Sequence, residues 1–518
     1  MSGRRAALLI VAGAVLLAAA YPPFPLPLLS FVAVAPAVLL LRSAIGTGDP
    51  VRAFRWGVAY GAASQGAVLY WIAIALWHFT HLSVLGFLAT VAILAVYSGA
   101  LFWLVARSAL RARVPLWVAF PIAWTALEWW VGHQGDIRFP WLGLGTSLAD
   151  APLLVQWADL AGARGVTLWL AWCNVMLVEA ALAWGRPRSP GGRRAALWRG
   201  GAVAASALLA VGYGTWRTRT LPVRDVGVVG MIQPNEGFDE KWERPADSVM
   251  GQLLDLSRRV HALARPDLIV WPEAAMPGYL QGRPDWDVAI AGLVRERHTP
   301  LLAGGLFAEL HEDGSDARFN AAFFFDSTGR WRPHPVYGKR YLVPVTERVP
   351  FFPVRWFRRV PGLARWSGGF ARGRELPVYR AGLGSFGVII CYESAFEDLP
   401  RRYRRAGADF LVNITNDAWF GRTTAPAQHA SHLVLRAIET RMGVARAANS
   451  GISQFVDPLG HAYASTALET KAVVADRLRT TDVTTLYVRW GDWVGMLVVL
   501  ATLGLAGLAL IWRRPPGA

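Results

Sequence analysis

Cysteine is scarce in this sequence: the 518 residues include only two. Two thiols cannot build a disulfide framework or a cysteine-rich zinc site, so small domains held together by such links are excluded. Charged residues are also few, at 17%, while hydrophobic residues make up 54%. This composition excludes a disordered chain and is unusual for a single soluble domain.

Negative charge is the scarcer sign, with 36 acidic residues against 53 basic ones and a formal net charge of +17. A basic surface is what nucleic-acid binding needs, but the sequence has no zinc-finger spacing, RNA-binding signature or basic-helix pattern. We therefore expect no nucleic-acid partner. Many of the arginines stand in short clusters beside apolar segments, which indicates that they orient the chain in a membrane.

Long apolar segments and 25 tryptophans, a residue typical of membrane interfaces, are what the sequence has instead. Eight segments are each mostly apolar and about long enough for a hydrocarbon core of ~30 Å. These predicted spans are residues 6–20, 27–42, 56–77, 84–106, 114–131, 163–184, 199–214 and 490–512. A cleaved signal peptide is the alternative for the first, but "YPPFPLP" and the apolar segment after it favour a helical hairpin.

The arginine clusters predict the orientation of these spans. They stand before the first span and after the second, fourth, sixth and eighth, at Arg4, Arg5, Arg42, Arg52, Arg55, Arg107, Arg111, Arg113, Arg513, Arg514 and in "GRPRSPGGRR". Alternating spans place all of them on one side, which the positive-inside bias makes the cytoplasm. The predicted domains are a seven-helix membrane domain at 1–214, an extracytoplasmic block at 215–489, and an eighth helix with a cytoplasmic tail at 490–518.

The block at 215–489 has the pattern of an α/β layered domain. Short, nearly continuous apolar runs such as "DLIVWPE", "NAAFFFD" and "FGVIICYE" indicate strands of sheets that are covered by other layers. Helical patterns at 247–264 and 426–446 lie between some of these strands. Strands that alternate with helices are typical of an α/β fold, and the block is long enough to bury its own core.

Cys391 is the candidate nucleophile of this block. It follows the apolar strand "VII" and precedes a predicted helix, so its side chain stands at a sharp turn. The first N–H groups of that helix would then face a developing oxyanion. The alternative is that Cys391 is a small buried hydrophobic residue, as many lone cysteines are.

Glu273 is the candidate base for the thiol. It ends the apolar strand in "DLIVWPEAAMP", where Pro272 and Pro277 stiffen the turn. A partly desolvated carboxylate at such a place is suited to general-base work. A solvated loop glutamate is the alternative.

Lys339, in "VYGKRYLVPVTERVP", can supply a fixed positive charge to a tetrahedral intermediate, and Glu347 can pair with it. A solvated loop lysine is the alternative. His429 and His432 have a spacing that suits a metal, but without a third ligand pattern we interpret them as surface residues of a helix. We expect no metal and no cofactor.

Together, the motifs "WPE", "YGKRYLVPVTERVP" and "ICYE" resemble the nitrilase (carbon–nitrogen hydrolase) superfamily. With spans before and after this block, the whole chain is similar to the bacterial apolipoprotein N-acyltransferase family. The resemblance implies a polytopic α-helical membrane protein of about eight spans with an inserted αββα sandwich. It also implies the bacterial cytoplasmic (inner) membrane as the location, with the catalytic domain on the periplasmic side, and we expect a monomer.

The resemblance further implies a function and a role for each motif. A phospholipid would donate an acyl chain to the thiol, and the N-terminal amine of a diacylglyceryl-cysteine apolipoprotein would accept it, in ping-pong order. Glu273, Lys339 and Cys391 match the catalytic triad, with Lys339 and the backbone N–H of Tyr392 stabilising the oxyanion. The residues that match supporting positions are Glu347, Tyr392, Glu393 and Trp242.

Two loops are predicted to contact the membrane or the lipid substrate. The segment 351–373 interleaves aromatic residues with arginines, as in chains that rest at the headgroup level, and "AAMPGYL" is a second apolar lip. Their candidate contact residues are Met276, Tyr279, Phe351, Phe352, Trp356, Phe357 and Arg358. An ordinary partly buried loop is the alternative for 351–373.

Two rival functions stay open at this point. A membrane-tethered amidase of the nitrilase type, acting on a small amide, would use the same three groups, although apolar loops and membrane spans argue against a small soluble substrate. A non-enzymatic scaffold or lipoprotein-binding module would leave Glu273, Lys339 and Cys391 unrelated.

Overall fold

The computed structural model describes residues 1–77, 83–185, 190–237, 240–310, 316–351 and 369–511. The first part of the chain is helical throughout. Its helices are α1 (Gly3–Ala20), α2 (Ala35–Gly46), α3 (Pro50–Leu69), α4 (Trp71–Trp77), α5 (Ser83–Ala112), α6 (Leu116–His133), α7 (Ala158–Trp184) and α8 (Pro190–Thr220).

Six helical stretches among the described residues are long and apolar enough to cross a membrane, or seven if the pair α3–α4, bent by 53°, forms one span. They correspond to seven of the eight predicted segments. The remaining segment, 114–131, forms α6, which carries four tryptophans and Glu128 and does not reach the same hydropathy. The count of eight spans therefore stays a prediction.

Small residues bring the membrane helices together. A Cβ at Gly57 would lie 2.7 Å from the carbonyl oxygen of Ser98 on α5, and one at Gly61 would lie 2.6 Å from the Ser98 side chain. Without a hydrophobic driving force between helices in lipid, such close backbone approach supplies the van der Waals contact that holds α3 against α5.

Two six-stranded sheets form the block that follows. The first has the order β12-β1-β2-β3-β4-β5 and the second the order β11-β10-β9-β8-β7-β6. The strands are β1 (Arg224–Gln233), β2 (Leu268–Val270), β3 (Leu301–Leu310), β4 (Asp316–Phe325), β5 (Tyr337–Gly338), β6 (Tyr379–Ala381), β7 (Gly384–Ile390), β8 (Phe410–Thr415), β9 (Gly443–Ala448), β10 (Gln454–Val456), β11 (Ala462–Tyr463) and β12 (Ala472–Thr480).

Helices cover the outer face of each sheet, which gives the αββα layers. The helices of this part are α9 (Glu240–Glu243), α10 (Ala246–Ala264), α11 (Pro284–Arg297), α12 (Asp398–Arg405), α13 (Ala425–Thr440) and α14 (Leu486–Trp490). Helix α15 (Trp493–Ile511) follows them and is one of the candidate membrane spans. Helices α10 and α11 share one apolar core with the first sheet, while apolar side chains such as Val388 and Met231 fill the space between the sheets.

The predicted helix at 426–446 is too long by several residues. Helix α13 ends at Thr440 because Arg441 adopts a left-handed conformation (φ 53°), and β9 begins at Gly443. The apolar residues from 443 onward belong to a buried strand, whose periodicity cannot be told from that of a buried helix in so short a run.

The block is anchored on the membrane helices by buried polar contacts. The guanidinium of Arg441 donates to Asp159 at 2.8 Å and to Gln156 at 2.6 Å, both before or within α7. Arg164 on α7 forms ion pairs with Glu128 of α6 and Glu397 of the block, at 3.1 and 3.0 Å. These contacts fix where the sandwich lies relative to the helices.

Candidate active site

Cys391 stands at a strained turn directly after β7. The buried strand delivers it to a single 3₁₀ turn, Cys391–Ala395, and its φ of 52° is in the left-handed region. A non-glycine residue in that region costs about 1–3 kcal/mol, so the surrounding contacts must hold it there. The first N–H groups of such a turn have no partner within it.

Glu393 supplies those contacts. Its carboxylate accepts hydrogen bonds from the backbone N–H of Ile390 at 2.7 Å and from the Tyr337 hydroxyl at 2.8 Å. The other oxygen accepts from the backbone N–H groups of Arg340 and Tyr341 at 2.6 and 3.1 Å. One buried side chain thus ties the turn of the thiol to the segment that carries Lys339.

Glu273 lies in the turn that follows β2 and is 5% exposed. Its Oε1 accepts from the Asn320 amide at 2.6 Å and from Lys339 Nζ at 3.2 Å. Its Oε2 accepts from the backbone N–H of Asn416 at 2.8 Å. Three donors therefore fix the position of the carboxylate. A general base needs a fixed position, because it must lie within hydrogen-bond reach of the proton that it removes.

Lys339 lies directly after β5, is 1% exposed, and has two carboxylate partners. Its Nζ is 2.8 Å from Glu347 Oε1 as well as 3.2 Å from Glu273. Glu347 is held in turn by the Asn320 amide at 3.0 Å and by the backbone N–H of Val343 at 2.8 Å. The structure thus brings all three candidate catalytic residues, and Glu347, to one place.

Burial and charge set the protonation of these groups. Burial raises the pKa of the Cys391 thiol far above its ordinary value, the charge of Glu273 raises it further, and Lys339 opposes both. Burial would lower the pKa of Lys339, but the carboxylates of Glu273 and Glu347 outweigh it and keep this pKa well above its ordinary value. The resting site therefore holds a neutral thiol beside a permanently charged lysine.

A cavity of ≈590 Å³ opens onto this site from the membrane helices. Apolar side chains line most of it. They are Trp71, Ile72, Ala75 and Leu76 of α4, Ile93, Leu94 and Tyr97 of α5, and Phe139 and Trp141 in the segment after α6. Glu273, Lys339, Glu347 and Cys391 line its other end. A long apolar group held between the helices can therefore reach the thiol.

Tyr392 and Gln428 join the two parts of this cavity. The Tyr392 hydroxyl donates to the carbonyl oxygen of Arg138 at 2.8 Å, and its ring stacks near Trp141 with centroids 6.3 Å apart. Gln428 Oε1 on α13 accepts from the indole N–H groups of Trp71 and Trp141 at 3.2 and 3.0 Å. Satisfied polar contacts of this kind give the apolar wall a fixed shape.

Several of the predicted lipid contacts are not at this cavity. Met276 is fully buried in the core between the first sheet and its helices, so its assignment as a membrane contact is wrong: that turn packs inward. Tyr279 is partly buried and pairs with Leu306 of β3. Phe351 is 64% exposed, and its backbone N–H donates to Asp136 at 3.0 Å. Four further candidates lie outside the part of the chain that the structure describes: Phe352, Trp356, Phe357 and Arg358. The side chain of Trp242 also lies outside it.

Comparison with known proteins shows the family. Residues 13–176 match the apolipoprotein N-acyltransferase N-terminal domain, and residues 226–484 match the carbon–nitrogen hydrolase family. The apolipoprotein N-acyltransferase of Geobacter metallireducens is 34% identical over 522 residues, covering 98% of this chain and 95% of the relative. The enzyme of that name in Chlorobaculum tepidum is 30% identical over 479 residues, 86% of each chain. The chain belongs to the apolipoprotein N-acyltransferase family.

Among solved structures, an amidase from Nesterenkonia sp. is similar to this member of the apolipoprotein N-acyltransferase family with a TM-score of 0.37 and 18% identity. The match covers 51% of this chain and 93% of the amidase. The carbon–nitrogen hydrolase match at 226–484 agrees with the two-sheet sandwich observed here.

The two histidines of α13 are not surface residues, as the sequence interpretation had them. His429 is 0% exposed and His432 is 4% exposed, because the helix packs between the second sheet and the membrane helices. His429 Nδ1 is 2.9 Å from Asp417 Oδ1. Across the described ranges, no cluster of three or more metal-ligating side chains is found.

Sequence reasoning missed Asn320 and Lys241, which also line the cavity. Asn320 is a single amide within the apolar strand "NAAFFF", and that contrast was a usable signal. Lys241 directly precedes Trp242, is 6% exposed, and lies near Glu273; burial lowers its pKa to about 8, although Glu236 and Glu273 oppose this.

Proposed function

We propose that the protein transfers a fatty acyl chain from a phospholipid to the N-terminal amine of diacylglyceryl-cysteine apolipoproteins, through a thioester on Cys391. The observation that carries this proposal is the apolar cavity that extends from between the membrane helices to Glu273, Lys339 and Cys391. A water-soluble amide has no need of such a wall, so this observation favours a lipid donor over the amidase alternative. Membership of the apolipoprotein N-acyltransferase family supports the same choice.

In the first half-reaction, the Glu273 carboxylate takes the proton of the Cys391 thiol, and the thiolate attacks the ester carbonyl of the phospholipid. The carbonyl electron pair moves to oxygen, where Lys339 Nζ and the backbone N–H of Tyr392 stabilise the negative charge. Collapse of this intermediate breaks the carbon–oxygen bond, and Glu273 returns the proton to the departing lysophospholipid. Because the thiol is neutral at rest, the base must act within the complex rather than beforehand.

In the second half-reaction, the amine of the apolipoprotein attacks the thioester carbonyl and the thiolate leaves. The lysophospholipid must depart first, since both substrates use the same cavity, which gives ping-pong kinetics. Glu347 and Asn320 act as positioning residues, because they hold Lys339 and Glu273 at the distances described above.

We also propose that the protein lies in the bacterial cytoplasmic membrane with the sandwich on the periplasmic side and works as a monomer. Basic side chains cluster at one end of the helices: Arg42 on α2 and Arg199 on α8 both pair with Glu179 of α7, at 3.1 and 3.4 Å. Arg107 of α5 donates to the carbonyl oxygen of Ala509 near the end of α15. The positive-inside bias assigns this end to the cytoplasm.

The test is the intact mass of the protein in lipid nanodiscs after incubation with phospholipid, beside Cys391→Ala. We expect the wild type to gain the mass of one acyl chain, hydroxylamine to remove it, and the variant to stay unmodified. A folded wild-type protein that gains no mass in the presence of intact phospholipid would overturn the acyl-enzyme mechanism and favour the amidase alternative.

A further inference from the structure

His429 lines the same cavity as Cys391 but has no role in the mechanism above. It is fully buried, with Nδ1 2.9 Å from Asp417 Oδ1, while no hydrogen-bond partner for its Nε2 is found in the part of the chain that the structure describes. Buried polar nitrogens normally have partners, because an unmade hydrogen bond costs about 1–3 kcal/mol. An unpaired ring nitrogen of a residue that lines a substrate cavity is therefore a candidate substrate contact.

Asp417 fixes which nitrogen of the ring carries the proton. Its carboxylate also accepts from Arg446 Nη2 at 2.7 Å, and Arg446 and His429, against the effect of burial, lower its pKa to about 2. An ionised carboxylate can only accept, so Nδ1–H of His429 must be the donor. The neutral ring then presents the lone pair of Nε2, which is the form of a histidine base.

The same carboxylate links His429 to the nucleophile. The Thr415 hydroxyl at the end of β8 donates to Asp417 Oδ1 at 3.0 Å. The charge of Asp417 also acts on the Cys391 thiol and raises the pKa of that thiol. His429 and Cys391 therefore line one cavity, and the same carboxylate acts on both.

The proposed second half-reaction leaves one proton without an acceptor. The α-amine of the apolipoprotein has an ordinary pKa of about 7.7–8.0 and is mostly an ammonium at neutral pH. An ammonium must lose two protons to become the nitrogen of an amide. Glu273 can pass one of them to the departing thiolate, but the other needs a second base.

We propose that His429 is this base: its Nε2 binds the ammonium group of the acceptor and takes the surplus proton, an inference that rests on the function proposed above. The freed amine then attacks the thioester carbon, so the carbon–nitrogen bond forms and the carbonyl pair moves to oxygen. Glu273 takes the second nitrogen-bound proton, the carbon–sulfur bond breaks, and Glu273 protonates the thiolate. The His429 imidazolium afterwards releases its proton to water, which balances the step.

Charged and titratable groups face His429 from several elements. Asp417 and Arg446 contact it directly, Cys391 lines the same cavity, and His432 and Arg436 lie on its own helix. Asp417 stays ionised above about pH 2, so it remains the acceptor for Nδ1–H throughout the range in which the amine titrates.

The experiment measures single-turnover transfer from the preformed acyl-enzyme to a synthetic diacylglyceryl-cysteine peptide, in the full-length protein in nanodiscs, for wild type, His429→Gln and His432→Gln. His432 is the matched control, since it lies one turn further along α13, is also buried and contacts the same Trp141 ring. We expect His429→Gln to form the acyl-enzyme at the wild-type rate. Its transfer to the peptide should be slower by roughly 20-fold near pH 6.5 and equal to wild type near pH 9, where the amine is already neutral.

Hydroxylamine, which is neutral at pH 7 and needs no such base, should cleave both acyl-enzymes equally fast. Transfer by His429→Gln at the wild-type rate across the pH range would overturn the inference, and so would an equal loss in His432→Gln. Failure of the wild type to form an acyl-enzyme would overturn the proposed function instead, so the two failures are distinguishable.

If His429→Gln does not fold, the pH dependence of transfer by the wild type decides. A transfer rate that falls below pH 8 in proportion to the free amine would overturn the inference, and a shallower fall would support it.

Discussion

At the scale of single residues, the site keeps its nucleophile in a protected state. Burial and the nearby Glu273 charge both disfavour the thiolate of Cys391, and the charge of Lys339 favours it. A neutral thiol is a poor target for oxidants in the periplasmic space that we propose for it, since the thiolate is the reactive form. Reactivity then depends on a substrate that lets Glu273 take the proton.

This balance of charges gives a prediction about the free enzyme. We expect the midpoint of the pH dependence of Cys391 alkylation by iodoacetamide to shift to lower pH in Glu273→Gln, because a charge that raises the pKa of the thiol is removed. In Lys339→Met the midpoint should shift to higher pH, because the charge that lowers this pKa is lost. Mass spectrometry of the alkylated protein measures both, with acyl transfer lost in each variant. Shifts in the same direction would contradict the electrostatic account.

Cys391 and Glu273 were accessible to sequence reasoning because each follows a short apolar strand, and Lys339 because of the motif in which it stands. The role of Asn320 was not, because a lone amide in an apolar strand stands out in the sequence but gives no sign of the two carboxylates that it will bridge. His429 was misjudged for a similar reason. Nothing local to "PAQHASH" shows that membrane helices will cover that face of α13.

At the scale of secondary-structure elements, the strained turn after β7 depends on Glu393. Four donors converge on its two oxygens, from the residue before Cys391 and from the segment that carries Lys339. The nucleophile and the lysine are therefore positioned by one side chain, which touches neither.

We expect Glu393→Gln to destabilise the sandwich by about 2–4 kcal/mol. The NH₂ group of the glutamine cannot accept the two hydrogen bonds that one carboxylate oxygen accepts now, so two buried donors lose their partner. Acyl-enzyme formation should fall as well, since the turn loses its support. Thermal unfolding in nanodiscs measures the first effect. Glu309→Gln, at an exposed position of β3, is the matched control and should leave the unfolding midpoint unchanged. An unaltered midpoint in Glu393→Gln would contradict the role given to this carboxylate.

Element types were largely predictable from apolar runs, while their ends were not. The end of α13 depends on the left-handed conformation of Arg441, and that conformation is supported by contacts to Asp159 and Gln156. Residues so far apart in the sequence cannot be paired by periodicity. The position of α7, which carries or adjoins both partners, was predicted, but its contact with the sandwich was not.

At the scale of the whole molecule, the cavity belongs to both parts of the chain. Membrane helices supply its apolar wall, and the sandwich supplies its reactive end. The contact between Trp71 and Gln428 joins residues that are 357 positions apart, so no reading of either half alone could reveal it. The composition predicted a membrane domain and a catalytic block, and the fold adds that neither contains the site by itself.

Filling the cavity should change the choice of acyl chain. Ala75 on α4 is 8% exposed and lines the apolar wall, so Ala75→Phe removes space from the donor's chain. Excluding about two methylenes costs about 1.6 kcal/mol at ~0.8 kcal/mol each, so acylation by long-chain phospholipids should slow about tenfold. Short-chain donors should react at the wild-type rate.

The measurement for this variant is the ratio of acyl-enzyme formation from long-chain and short-chain phospholipids. Ala92→Phe, on the exposed face of α5 and outside the cavity lining, is the matched control and should keep the wild-type ratio. An equal loss with both donors in Ala75→Phe would show that the cavity does not hold the acyl chain.

The shared cavity has a consequence for work with the purified protein. A detergent monomer has the same form as the proposed donor, an apolar tail with a polar head, and its tail fits a wall of tryptophan and aliphatic side chains. Detergents should therefore behave as competitive inhibitors whose potency rises with tail length up to the depth of the cavity. A solubilised preparation that looks inactive would then be an occupied enzyme, and exchange into a bilayer would restore it.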